Sequence, residues 1–160
     1  MTIDLEALYL DLHQHPELSF QEIRTSTLLA DHLKQLGVQV VEGVGKTGLL
    51  GILENGEGPV VWMRADMDAL PVQEQSGKAY ASTATGVDPE GRVVPVMHAC
   101  GHDMHMTAMI GAVERLVAER GTWSGTVVVV FQPAEELGAG ARAMLDDGAL
   151  DKAPRPDIVI

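Results

Sequence analysis

Thr126-Val127-Val128-Val129-Val130-Phe131-Gln132-Pro133-Ala134-Glu135-Glu136 decides how this chain folds. Its first six residues are all β-branched or aromatic, with no polar alternation after Thr126, and read as a strand buried on both faces. Pro133 ends the run, and two carboxylates follow at its C-terminal end. Strands of that kind lie inside sheets covered by helices, and their carboxyl ends are where open α/β sheets place ligands.

The flanking segments fit the same plan. Residues 59–65, Pro-Val-Val-Trp-Met-Arg-Ala, are a second continuous apolar run. A helix is predicted over about 102–119, with Met106, Met109, Ile110, Val113, Leu116 and Val117 on its inner face and Gly121 ending it. Another follows from about 139 to 147, and the Pro154–Pro156 turn leads into a last strand, Asp157 to Ile160. Towards the N-terminus, Ile3, Leu5, Leu8 and Leu12 mark a helix that stops at Pro16. Ser19 and Glu22 form a capping-box pattern for a second helix, whose apolar face carries Ile23, Leu28, Leu29, Leu33 and Leu36 up to Gly37. Beyond Gly37 the period changes, and Val38, Val40 and residues 49–53 read as two short strands joined through the Gly-rich stretch 43–48. Residues 72–95 read as a long polar loop, with one strand at Val93–Val96. Strands alternating with helices predict an α/β fold: a mostly parallel, mixed sheet with helices on both faces.

Composition sets the outer limits. At 160 residues the chain suits one domain, and 46% hydrophobic with 21% charged residues supports a packed core. Aromatics are 4%, so that core is aliphatic. A net charge of −12 argues against a nucleic-acid partner; the acids are scattered and read as a solvated surface. Cys100 is the sole cysteine, which rules out an intrachain disulfide and fits a reducing compartment. The first 17 residues lack the basic start and apolar run of a signal peptide, and no apolar run approaches membrane-spanning length. A soluble, cytoplasmic protein with no membrane partner is expected.

Three constellations can carry chemistry. Cys100 and His102, in Met97-His98-Ala99-Cys100-Gly101-His102-Asp103-Met104-His105, are two residues apart at a helix entry, where thiolate and imidazole can share a metal. Two candidate ligands do not make a site, and a buried inert cysteine beside surface histidines fits equally. Glu135 and Glu136 project differently from the end of the strongest strand, so one can bind metal while the other takes a proton from a water. An acidic helix start would look the same. Asp66 and Asp68, in Arg64-Ala65-Asp66-Met67-Asp68-Ala69-Leu70-Pro71, alternate at another strand end and can orient a metal-bound neighbour. Arg64 offers the plain alternative of an ion pair. Two look-alikes fail: Gly45-Lys46-Thr47 lacks the P-loop glycine at position 40, which is Val40. Gly138 to Ala143 matches a dinucleotide fingerprint in letters but sits five residues from its strand, and close helix packing explains its glycines.

His15–Glu22 (HPELSFQE), Arg64–Pro71, Met97–His105 and Phe131–Glu136, in that order and spacing, resemble the hippurate hydrolase and N-acyl-amino-acid amidohydrolase family of metallopeptidase-like enzymes. The resemblance runs from about residue 5 to the end of the chain. It implies a two-metal amidase, with zinc, manganese, cobalt or nickel, acting on a small N-acyl amino acid. Cys100, His102 and Glu136 match metal ligands, Glu135 the general base and Asp68 an orienting acid, with Asp66 beside it. His105, His98 and His15 match the motifs too and are expected to support structure or substrate approach. The family also supplies further histidine ligands and a dimerisation or lid domain, through which the parent is expected to be a homo-oligomer; that domain, together with loops outside these residues, is expected to set acyl and amino-acid specificity. Residues 1–160 are thus expected to be the N-terminal portion of the catalytic domain, interrupted at the last strand and inactive alone. The competing expectation is a non-catalytic fragment that binds at most one metal or associates with a partner.

Overall fold

A computed structural model describes residues 2–160. The valine run forms β6 (Gly125–Gln132), and it lies at the centre of a five-stranded sheet. β6 runs antiparallel to β2 (Gly48–Asn55) and parallel to β3 (Val60–Asp66), so that Val128 sits between Ile52 and Trp62. β1 (Gln39–Val44) pairs antiparallel with β2, and β7 (Ile158–Val159) pairs parallel with β3, giving the order β1-β2-β6-β3-β7. The sheet is therefore mixed in equal parts, less parallel than the alternation of elements predicts. The reason is local: a connection as short as residues 45–47 can join antiparallel neighbours only, whereas a parallel pair needs a crossover of a dozen residues or more.

Period-two alternation divides the sheet's side chains between two cores. Leu49, Leu53, Val127, Val129 and Phe131 face α1 (Leu5–Gln14), α2 (Ile23–Gln35) and α3 (His102–Ala118). Leu50, Trp62 and Val128 face α4 (Gly140–Asp146) and α5 (Ala149–Lys152) through Met144 and Ala149. α5, which periodicity does not reveal in so short a piece, follows a left-handed Gly148. Helices thus cover both faces as expected. The crossover from β3 through α3 to β6 moves one way across the sheet, and that from β6 through α4 to β7 returns past β3. Right-handed connections running in opposite directions lie on opposite faces. The loops after β3 and β6 consequently part, and the crevice between the two carboxyl ends stays open.

Three local expectations change. α2 is not capped by Ser19: the Glu17 carboxylate accepts from the Arg24 and Thr25 amides at 3.1 and 2.8 Å, while Phe20, at φ +62, turns Ser19 elsewhere. Ile23 is 69% exposed and lies off the apolar face. Residues 72–95 contain two strands, β4 (Thr85–Val87) and β5 (Val93–Pro95), paired antiparallel as a small ribbon. Buried Glu74 ties this segment down by accepting from Ser76, from the Ser82 amide and from His13.

Candidate metal centre

The crevice collects side chains from four segments. His102 opens α3, Asp68 follows β3, Glu135 and Glu136 follow β6, and Ser19 comes from the turn before α2. His102 Nδ1 donates to the Asp68 backbone oxygen at 2.7 Å, which fixes the tautomer and leaves Nε2 turned to the carboxylates. His102 Nε2 lies 3.8 Å from Glu135 Oε2. Among the described residues, His102, Glu135 and Glu136 are the one set whose ligand atoms all lie within 4.8 Å of each other.

Asp68 is 1% exposed and organises the set. Its Oδ2 accepts from Ser19 Oγ at 2.6 Å and from the Glu136 amide at 3.0 Å, and its Oδ1 lies 3.5 Å from His102 Nδ1. Burial opposes its charge, but His102, Ser19 and the Glu136 and Glu135 backbone outweigh that and hold the carboxyl below its ordinary range. Burial likewise opposes a proton on His102, yet the Asp68 side chain and carbonyl, with Asp66, push the imidazole up to about 9. The Nδ1 proton stays with Asp68, and Nε2 is the nitrogen left to face a cation.

Glu22 builds the turn that presents the two glutamates. It is fully buried, accepts from the Thr47 hydroxyl at 2.5 Å and from the Ala134 amide at 2.9 Å, and is raised in pKa by burial against these bonds. Ala134 has φ +48, a left-handed conformation unfavourable for an L-residue. Its carbonyl accepts from Ala139 and Gly140, so both of its polar groups are held. A side chain at Gly140 would stand 1.5 Å from the Pro133 oxygen, which makes that glycine a packing requirement. Gly45 serves the same end against the Met144 backbone, and Lys46 stacks over Phe20.

The remaining motif residues separate. Asp66 does not share the centre with Asp68: its Oδ2 takes Arg64 at 3.0 Å and lies 3.7 Å from His105 Nδ1. Cys100 is exposed and stands outside the three-ligand set; neighbouring acids raise its thiol pKa, Glu136 first. His15 is exposed and bonds the Asp11 carbonyl. His98 is buried with neither ring nitrogen partnered, and burial lowers it to about 4. Behind the helix entry lies a cluster that motif reading does not reveal: buried His13 bridges Asp103 at 2.7 Å and Glu74 at 3.2 Å. The signal was the odd polar residue on the inner face of α1.

The donor set fits a divalent cation. Three carboxylates, those of Asp68, Glu135 and Glu136, converge with one imidazole and a nearby thiol, no Lys or Arg among the described residues is bonded to them, and Glu136 Oε1 and Asp68 Oδ1 are buried without partners. A coordinating cation would outweigh the acids' effect on Cys100, because a thiol binds metal as the thiolate.

A candidate metal site at the carboxyl ends of the strands stands where open α/β sheets hold their ligands. Residues 62–160 match peptidase family M20/M25/M40, and the chain belongs to that family. It is 44% identical over 140 residues to IAA-amino acid hydrolase ILR1-like 6 of Arabidopsis thaliana, covering 88% of this chain and 28% of that protein. It is 40% identical over 150 residues to hippurate hydrolase of Campylobacter jejuni, covering 93% and 36%. A Bacillus subtilis crystal structure, described as a dinuclear metal binding peptidase of the M20 family, superposes with a TM-score of 0.81 at 40% identity, covering 93% of this chain and 40% of that one. The chain thus spans about a third of the length of these curated relatives.

Proposed function

We propose that this chain is the N-terminal portion of the catalytic domain of an amidohydrolase that cleaves N-acyl amino acids with two divalent metals. The observation that carries the reading is the convergence of His102 Nε2, Glu135 and Glu136 within 4.8 Å, with a buried, unpartnered Glu136 oxygen. The relatives' names point the same way, since one is a hippurate hydrolase and another an IAA-amino acid hydrolase.

Cys100, His102 and Glu136 hold metal in this reading. Zinc, manganese, cobalt or nickel there would supply Lewis acidity and a lowered water pKa. Glu135, whose side chain is 41% exposed, is the freer of the two glutamates and takes the proton from the attacking water. It then delivers that proton to the nitrogen of the departing amine. Asp68 orients His102 through the Nδ1 side and fixes the Glu136 backbone. Further ligands come from the rest of the catalytic domain, and a lid domain makes the parent a cytoplasmic homo-oligomer. This chain alone carries at most one three-ligand site and does not turn substrate over.

Glu135→Gln in the longer enzyme is expected to keep its metal and lose roughly 10²–10⁴-fold in kcat. Unchanged turnover ends the assignment of Glu135. In the present chain, elemental analysis is expected to find metal bound, with the content reduced in Cys100→Ser. Equal content in both forms removes Cys100 from the ligand set.

A further inference from the structure

His13 lies in the last turn of α1, its ring centroid 5.7 Å from that of Tyr9 and 5.4 Å from that of Tyr80. Leu8 and Leu12 of the same helix share a core with Met106 and Ile110 of α3, which fixes where His13 stands. Its Nδ1 meets Asp103 Oδ2 at 2.7 Å and its Nε2 meets Glu74 Oε1 at 3.2 Å, all three side chains being buried. Both ring nitrogens thus face carboxylates, and the bridge is complete only with a proton on each. Burial opposes that charge, but the two acids outweigh it and raise the imidazole above its ordinary 6.5. Asp103 directly follows His102 in α3, and Glu74 is six residues beyond Asp68 on the segment leaving β3. Those two segments are already tied once at the metal centre, where His102 Nδ1 donates to the Asp68 carbonyl at 2.7 Å. His13 ties them a second time, behind it.

We infer that His13 is a positioning residue for the metal centre: its double bridge holds the start of α3 against the segment after β3, so that His102 keeps its bond to Asp68 and turns Nε2 to Glu135 and Glu136. The inference rests on the metal reading of that set, and it adds a residue from a helix that supplies no ligand. A bridge serving stability alone can join any two core segments; this one joins the two that carry His102 and Asp68. Without His13, Asp103 and Glu74 are like charges facing each other out of water, and their repulsion parts the segments. Asp103 moves with the first turn of α3, where it accepts from the Met104 amide at 2.8 Å. His102 is its neighbour in that turn, so its ring swings off the Asp68 carbonyl. Metal affinity falls when the group that orients a ligating histidine is disturbed.

The test compares the 160-residue chain with His13→Gln and with His13→Gln/Glu74→Gln, in which the like charges no longer face each other. Leu33→Ala, which truncates a fully buried side chain of α2, controls for lost stability. Zinc affinity is read by competition with a chromophoric chelator. The His102 ring is read in the metal-free chain, from its nitrogen shifts and the exchange of its Nδ1 proton. His13→Gln is expected to weaken zinc binding roughly 10–100-fold and to open the Nδ1 proton to exchange. The double variant should recover most of both losses, and Leu33→Ala should lower Tm while leaving both readouts at their original values. Unchanged zinc affinity and an unchanged His102 proton in His13→Gln overturn the inference, as does an equal loss in Leu33→Ala. Should His13→Gln fail to fold, Glu74→Ala, which cuts the tie without opposing like charges, takes its place with the same expectation. If the unaltered chain binds no zinc, the metal reading of this chain fails, and the His102 proton alone decides the inference.

Discussion

Replacing Glu22 by alanine removes the acceptor of both the Thr47 hydroxyl and the Ala134 amide inside a closed core. The expected cost is roughly 1–3 kcal/mol, read by urea unfolding, because a buried amide loses its partner. Glu22→Gln keeps an acceptor for Ala134 and should cost less; equal losses would show that the bond does not hold the turn. His13 gives a pH-dependent counterpart. Burial opposes its charge, but Asp103 and Glu74 raise its pKa above the ordinary 6.5, so its contribution is complete below about that pH and fades as pH rises through the raised value. His13→Gln leaves two buried carboxylates facing each other and should cost on the order of 3 kcal/mol at pH 6, with the gap narrowing in alkali. A gap that stays constant with pH refutes the charged bridge. Neither role can be read along the chain: Glu22 sits where a helix-start pattern explains it, and His13 meets Asp103 across 90 residues.

At the scale of elements, β6 carries the sheet because it is paired on both edges and covered on both faces. Phe131 is fully buried, and Phe131→Ala should cost about 3–5 kcal/mol in thermal or urea unfolding. A loss under 1 kcal/mol would mean that the cavity collapses onto α3 without strain. β6, β3 and α3 are legible from sequence, since a continuous β-branched run and a 3.6-residue period are written locally. β4 is not: Thr85-Gly86-Val87 has three residues and a central glycine, and it is a strand because β5 lies beside it. The capping-box pattern at Ser19 fails for a related reason. Glu17 reaches the same amides, which frees Ser19 for Asp68.

For the whole molecule, a bound cation couples two segments, the start of α3 and the turn after β6, that the chain connects only through a crossover. Zinc at about 100 times its Kd should add roughly 2.7 kcal/mol to the unfolding free energy, and a chelator should remove it. No shift in Tm with zinc would mean that the centre does not close in this chain. No helix among the described residues is long and apolar enough to cross a membrane. The amino-acid sequence by itself determined the elements other than β4 and α5, the helices on both faces and the four motifs that place the chain in its family, because periodicity and short motifs are local properties. Tertiary structure decided which motif residues meet. His102, Glu135, Glu136 and Asp68 converge, Asp66 goes to Arg64, and Glu22 reaches Ala134 across 112 positions. Those contacts depend on strand order and crossover direction, which distant segments set together and no single window of sequence contains.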